Sequence, residues 1–419
     1  MGLQTHRLTM SITVLTLLQF ASVSAEEIPP PKTDRPWPRH VIDGSSRGAD
    51  GVRLHDVNND GLPDITTGWE EGGVTRVYLH PGHSKAMTTW PAVTVAMTPS
   101  VEDAVFCDVD GDGAVDVISS CEGKTRRMFI HWAPRSVAHY LNPDSWETET
   151  ITVTEDRTQW MFALPMQIDG KNGTDIVVAS KGKDGLVGWL QAPANPRQMG
   201  NWKLHTLYKA GWIMSLAPLD VDADGDLDVI VSDRKGENSG VLWLENPGAA
   251  SVSGNWMEHR IGGDGLEIMF LDIADLDEDG HPDVIAAVKP NQIHWFRNPA
   301  KVGKKWPVQV IEVNQPVGMG TAKGVRVGDV DGNGKPDIVY SCEKAVPPKR
   351  GLVWLSFRES PTEKVWTVHD ISGPEGIKYD RVELSDIDGD GDLDVLTCEE
   401  RHQGVGIGVF WHENPLENR

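Results

Sequence analysis

Several absences narrow the function of this 419-residue chain before any pattern is read. Basic residues are scarce: 39 Lys and Arg stand against 62 Asp and Glu, a net charge of −23. The basic face that nucleic-acid binding requires is therefore missing. Cysteine is scarce too, with four in all. Cys121 and Cys342 fall at the same place in different copies of a repeat, which predicts free, partly buried thiols rather than bridges. No apolar run is long enough to span a bilayer. The chain has no nucleophile elbow, His-Glu-x-x-His motif, P-loop or Gly-rich cofactor fingerprint.

The first 25 residues read as a secretory signal, with Arg7, an apolar run through Leu18, and Val23-Ser-Ala25 before the cleavage point. Residues 26–35, with three prolines, read as a leader. The expected location is secreted or periplasmic, and the mature chain is expected to be monomeric.

What the chain has is a repeated acidic loop. Asp386-Ile-Asp-Gly-Asp-Gly-Asp-Leu-Asp394 places carboxylates at positions 1, 3, 5 and 9 and Gly at position 6. A hard cation that needs 6–8 oxygens is bound by such a set, and the glycine allows the sharp turn. Strand-forming residues flank the loop (Val382 and Leu384 before it, Val395-Leu-Thr after it), so it joins two strands rather than two helices.

The same frame recurs at Asp56/Asn58/Asp60/Asp64, Asp108/Asp110/Asp112/Asp116, Asp220/Asp222/Asp224/Asp228, Asp275/Asp277/Asp279/Asp283 and Asp329/Asp331/Asn333/Asp337, beside Asp386/Asp388/Asp390/Asp394. These are the expected ligands of structural Ca²⁺, at up to six or seven sites. A seventh copy, Gln167–Asp175, keeps only Asp169 and Asp175, and Lys171 adds a repelling charge. It is the weakest candidate for metal. These loop aspartates account for nearly all of the net charge.

Loop starts lie 52 to 59 residues apart, a period that signals a solenoid, propeller or array. Within one period the second repeat reads as four short strands: Ala104–Cys107, Val117–Ser120, Met128–Trp132 and Trp146–Val153. Four-stranded sheets repeated radially make a β-propeller. Tryptophans mark the register. The fourth strand carries Trp37, Trp90, Trp146, Trp202, Trp256, Trp306 and Trp366. The third carries Trp132, Trp189, Trp243, Trp295, Trp354 and Trp411, with Tyr78 in the first repeat. Both sets are expected to pack between blades.

The expected fold is all-β, a seven-bladed propeller over 36–419. Its blades fall at about 45–97, 98–156, 157–209, 210–263, 264–315, 316–372 and 373–419, the last completed by a strand at 36–43. That N-terminal strand closes the ring as velcro.

With these loops and strands in view, the chain resembles the FG-GAP/VCBS-repeat propellers of the integrin-α N-terminal type across its whole mature length. The turn Trp243-Leu-Glu-Asn-Pro-Gly248, echoed at Trp295–Pro299 and Trp411–Pro415, is similar to secreted microbial members. The resemblance implies the propeller fold and calcium; function varies within the family.

The face opposite the acidic loops is the expected site. Fourteen residues after each loop start, the ring reads Glu70, Glu122, Lys181, Arg234, Lys289, Glu343 and Glu400. Six residues before, it reads Asp50, Glu102, Met161, Met214, Met269, Lys323 and Asp380. Acids gather in blades 6, 7, 1 and 2, and bases or Met in blades 3, 4 and 5. Trp69, Trp160 and Trp212 map to the same face and are expected to stack on a ligand, with Arg381 beside them.

One reading is a salt-bridged surface in which Arg47, Lys124, Arg126, Arg127, Lys344, Arg381 and Arg401 hold the acids. The sharper reading is a pocket for a saccharide or protein ligand. A sugar- or polysaccharide-acting lyase or hydrolase is the alternative, with Glu70, Glu122, Glu343, Glu400 and His402 as candidate acid/base groups.

Overall fold

A computed structural model describes Met1 and residues 35–252, 256–313, 318–400 and 406–416. The signal-type segment, residues 26–34 of the leader, Arg401 and His402 lie outside the described residues.

The chain forms seven sheets, each of four antiparallel strands in the order a–b–c–d. In blade 2 these are Val101–Cys107, Asp116–Cys121, Arg127–Trp132 and Glu147–Thr150. Strands b are buried on both faces, as in Asp283–Val288, because a blade packs against a neighbour on each side. Their near-continuous apolar runs follow from that double burial. Strands a of adjacent blades touch one another all the way round, so they are the innermost strands and line the channel.

All thirteen tryptophans of strands c and d are at most 8% exposed. The ring closes as the sequence predicts. Arg39–Asp43 pairs antiparallel with Gly408–His412, strand c of blade 7, with Val41 opposite Phe410. The four thiols are free, Cys107 half-buried and the others buried. No helix among the described residues is long and apolar enough to cross a membrane.

The ninth loop residue has a structural task in every blade. In blade 1 Asp64 Oδ2 accepts from Val57 N (2.9 Å) and Oδ1 from His80 N (2.8 Å). One carboxylate thus ties the loop to the exit of strand c. Asp116, Asp228, Asp283 and Asp394 make the equivalent pairs. Asp337 makes the loop half of the pair, from Val330 N (3.0 Å). The degenerate third loop keeps both halves, with Asp175 accepting from Ile168 N and Ala192 N. Leaving two buried N–H groups unpaired would cost about 1–3 kcal/mol each, enough to keep this residue where others have been lost.

Strand a carries a second regularity. Its register with strand b shifts near its start in all seven blades, for instance between Trp160 and Phe162 and between Ala322 and Gly324. A bulge re-aims side chains and breaks strict alternation. In six blades it takes in the residue six before the loop, and in blade 1 it directly follows Asp50.

Candidate functional site

Those bulged strand starts and the ends of strands b enclose a cavity of about 270 Å³ at the channel mouth. One wall is acidic, formed by Asp50, Glu70, Glu102, Glu122 and Glu400. The other holds Lys181, Trp212 and Arg234, and Met161, Phe162, Met214 and Phe270 supply apolar lining. Phe162 and Phe270 meet edge to face at 5.7 Å. Lys323, Glu343 and Lys378 complete the rim.

The acids are held by lysines, not by the arginines that the sequence offered as partners. Lys181 Nζ bonds Glu122 and lies 3.2 Å from Glu102 Oε1. Lys323 Nζ lies 3.4 Å from Asp380 Oδ1 and 3.8 Å from Glu400 Oε2, and Lys378 also bonds Glu400. Lys289 bonds Glu343 and stands outside the cavity lining. The two seams where the sign of charge changes, between blades 2 and 3 and between blades 5 and 6, are therefore stitched by ion pairs.

Asp50 and Glu70, both from blade 1, lie between these paired carboxylates. Burial, then the charges of Asp380 and Glu400, push the Asp50 carboxyl well above the usual range. Burial, then Glu400 and Glu122, raise Glu70 to about 7, and it shares a hydrogen bond with Glu400. Burial would raise Asp380 as well, but Lys323 and the neighbouring Asp50 carboxyl hold it ionised. Two carboxyl–carboxylate pairs, Asp50–Asp380 and Glu70–Glu400, thus hold protons that bulk carboxyls would release.

Several expected residues fall elsewhere. Trp69 and Trp160 are fully buried inside their blades, where their indole N–H groups donate to Tyr78 Oη and Thr154 O. They cannot stack on a ligand. Trp212 lines the cavity, but Lys181 and Arg234 each sit 4.6 Å from its ring and Lys235 4.9 Å, so cations occupy its faces. Its Nε1 and the Nε of Arg234 are buried without hydrogen-bond acceptors. Asp380 is fully buried behind the lining.

Arg381 belongs to a layer further along strand a. There Arg381 Nε donates to Glu383 (2.7 Å), Arg326 to Asp272 (2.6 Å) and Glu383, and Arg53 to both oxygens of Asp103 (3.0 and 2.9 Å). Burial lowers Arg381 to about 10. This layer, together with Phe162, Phe270 and Lys378, is what sequence reasoning missed. Reading strand a one and three residues further on would have found most of it. The one-residue ring contains Asp103, Phe162, Phe270 and Arg381, and the three-residue ring Arg53, Asp272, Arg326 and Glu383.

On the opposite face the loop carboxylates converge. Asp220, Asp222 and Asp228 bring oxygens within 4.8 Å of one another, as do Asp108, Asp110 and Asp116, and Asp275, Asp277 and Asp279. The loops curl around their own carboxylates: Asp386 Oδ2 accepts from Gly391 N and Asp390 Oδ1 from Asp392 N. Asp392 Oδ1 is buried and has no partner. A hard-oxygen set with an orphaned carboxylate oxygen fits a divalent cation. The third loop does not: Gln191 Nε2 donates to Asp169 Oδ2 (2.6 Å), and Gln167 bonds its own loop backbone.

Loops 1 and 6 fit a cation less well than their sequence pattern implies. Asn58 Oδ1 and Asp56 Oδ1 both accept from Asp60 N (2.9 and 3.1 Å), and Asp60 Oδ1 accepts from Leu62 N (2.9 Å). In loop 6, Asp331 Oδ1 and Asp329 Oδ1 accept from Asn333 N (3.1 and 2.9 Å), and Asn333 Oδ1 accepts from Lys335 N (2.8 Å). An asparagine has one neutral acceptor oxygen. In Asn58 and Asn333 that oxygen already bonds the backbone, and Asp60 and Asn333 are exposed besides. The expectation that Asn58, Asp60, Asp331 and Asn333 are ligands on a par with the other loops is therefore corrected. They shape the turn, and a cation in either loop would meet one carboxylate fewer.

These features define a seven-bladed β-propeller that carries FG-GAP-like repeats, a family model matched at residues 56–119 and 275–340. No curated protein matches the chain. Among solved structures, the chain is similar to BBS1N in complex with ARL6DN, with TM-score 0.50, 11% identity, and 91% of this chain and 98% of that one covered. It is equally similar to a chain of the Mitotic Checkpoint Complex, with TM-score 0.50, 14% identity and coverage of 95% and 99%. An Agrocybe aegerita lectin that recognises non-reducing terminal N-acetylglucosamine aligns at TM-score 0.44 and 13% identity, over 77% of this chain and 80% of that one.

Proposed function

We propose that the protein is a secreted, calcium-carrying propeller that binds the end of a saccharide in the cavity at its channel mouth. The observation that carries this reading is the cavity itself, a small chamber with a carboxyl-rich wall facing an indole–guanidinium wall. Its volume of about 270 Å³ admits one small polar unit and not a folded partner. Carboxyls and carboxylates supply both donors and acceptors for hydroxyl groups, and the orphaned N–H groups of Trp212 and Arg234 supply donors. The binding face thereby lies opposite the loops. There, acidic side chains would hold calcium and cross-link the a–b hairpin to the exit of strand c.

Calorimetric titration with a panel of mono- and oligosaccharides tests it. Glu70→Gln and Arg234→Ala should each abolish the heat of binding. Binding that persists unchanged in both variants, or no binding by any sugar, defeats the reading.

One observation favours a sugar-acting enzyme as the second reading. Glu70 keeps a proton near neutral pH, while Glu343, also on the rim, is held ionised against burial by Lys323 and Lys289. Paired acids with divergent proton affinities are the equipment of general acid–base catalysis. Reducing-end and unsaturated-uronate assays on the sugars that bind would show turnover, and Glu70→Gln should remove it.

A further inference from the structure

Six loops share the acidic pattern, yet they differ in what strand c brings up to them. Two residues beyond the strand-c tryptophan, blades 3, 4, 5 and 7 carry Gln191, Glu245, Arg297 and Glu413. In blade 5 the Arg297 Nε lies 2.9 Å from Asp277 Oδ2, with the guanidinium 5.1 Å from the Trp295 ring. In blade 3 Gln191 holds Asp169. Blade 2 has Pro134 there, and Arg197 from the next blade reaches in instead. It sits 2.6 Å from Asp110 Oδ2, 3.6 Å from Asp112 and 4.3 Å from the Trp132 ring. In these three loops a fixed protein donor already answers the third-position carboxylate.

Blades 4 and 7 do the opposite and add an acid. Glu245 and Glu413 reach the same third-position carboxylates, Asp222 and Asp388. Each glutamate is held from behind by a strand-d histidine. His259 Nε2 is 2.5 Å from Glu245 Oε2 and its ring lies parallel to Trp243 at 4.2 Å. His40 Nε2 is 2.7 Å from Glu413 Oε2 and its ring is 4.6 Å from Trp411. The same two loops carry a fifth aspartate at position 7, Asp226 and Asp392, and the orphaned oxygen belongs to Asp392. Identical solutions in two blades 166 residues apart in sequence, Asp220 to Asp386, make the arrangement a device rather than an accident of packing.

We infer that divalent cations are taken selectively by the loops of blades 4 and 7, each site completed by a strand-c glutamate, Glu245 or Glu413. Arg197, Gln191 and Arg297 stand in for the cation in blades 2, 3 and 5. Loops 1 and 6, where Asn58 and Asn333 each replace an aspartate, rank between. Carboxylate count and rigidity set calcium affinity, and the histidines fix the glutamates as outer-shell partners do at metal sites. A guanidinium in the loop must be expelled before a cation enters.

This inference rests on the calcium reading above, and the test separates the two. The full chain, stripped with EDTA, is titrated with CaCl₂ by calorimetry, and bound ions are counted by native mass spectrometry. Two ions should bind most tightly. Glu245→Gln combined with Glu413→Gln should weaken both at least tenfold, with the EDTA melt unchanged. Arg297→Ala should add one ion to the count. Six equal sites, or tight sites indifferent to the glutamine pair, overturn the selectivity while leaving calcium binding intact. No bound ion at all overturns the calcium reading and this inference together.

Discussion

The two faces of the ring are built by opposite rules. On the loop face one nine-residue pattern recurs seven times. Its ninth residue makes the same backbone bonds even in Asp175, where Gln167 and Lys171 have replaced two of the other ligand positions. On the mouth face nothing recurs: equivalent positions hold Asp, Glu, Met or Lys, and buried charges are paired between blades rather than within them. A repeated residue in such a ring marks what every blade needs. A residue that breaks the repeat marks what the ring as a whole does.

The largest expected effect tests the pairing between blades. Lys181→Met removes the counter-charge of Glu102 and Glu122. Stranding a buried charge costs about 3–5 kcal/mol. The loss should appear in urea melts at pH 8 and shrink at pH 5, where Glu102, already raised well above the usual range by burial, can take a proton. An equal loss at both pH values would mean that Lys181 acts through packing.

Next comes the ninth loop position. Asp175→Ala leaves Ile168 N and Ala192 N without acceptors in a loop unsuited to metal. A loss of about 3 kcal/mol is expected from two unmet donors, the same with EDTA as with calcium. A calcium-dependent loss would show that the third loop binds metal and that the loop face is more uniform than its side chains indicate.

How much of this was legible follows from the same contrast. The ring, the register of the tryptophans and the closing strand at Arg39–Asp43 were readable because they repeat or complete a repeat. The outline of the mouth, including Asp50, Glu70, Glu102, Glu122, Lys181 and Arg234, was readable by counting from the loops. Trp69 and Trp160 misled because an indole without a place in the repeat looks exposed, whereas both are buried within single blades. Asn58 and Asn333 misled in another way, because a repeat frame counts oxygens and not what each oxygen already accepts. The second ionic layer was hidden by the bulges in strands a. A register shift turns neighbours such as Asp103 and Phe162 toward the channel, and alternation alone assigns them the other face.

A pH prediction sharpens the mouth side. Glu70 has its carboxyl raised to about 7 by burial and by Glu400 and Glu122, against an unfolded value of ~4.3. Between those values the folded chain holds a proton that the unfolded chain has released. Stability is therefore present below ~4.3 and lost as pH rises through 7. In excess calcium the melting temperature should fall from pH 5 to pH 8. Glu70→Gln, which mimics the protonated form, should flatten part of that slope, the rest belonging to Asp50 and Glu102. An unaltered slope would remove Glu70 from the proton-holding pair.

The smallest expected effect divides the loop face itself. Asp279 and Asp224 hold the same fifth position in loops 5 and 4, and each accepts from the backbone N–H two residues on, at 3.0 Å. Asparagine preserves that acceptor in both, so neither substitution should move the melt in EDTA by more than ~0.5 kcal/mol. With millimolar calcium the two should part. Loop 5 already holds Arg297 against Asp277, so Asp279→Asn should change nothing. Loop 4 has Glu245 in that place, so Asp224→Asn should lose calcium affinity. A tenfold weakening subtracts up to ~1.4 kcal/mol of mass-action stabilisation at saturating ion. Melts of the two variants in calcium, read against their own EDTA controls, measure that difference directly. Equal calcium-dependent losses would mean that the arginine yields to the ion, and loops 4 and 5 would then be one kind of site.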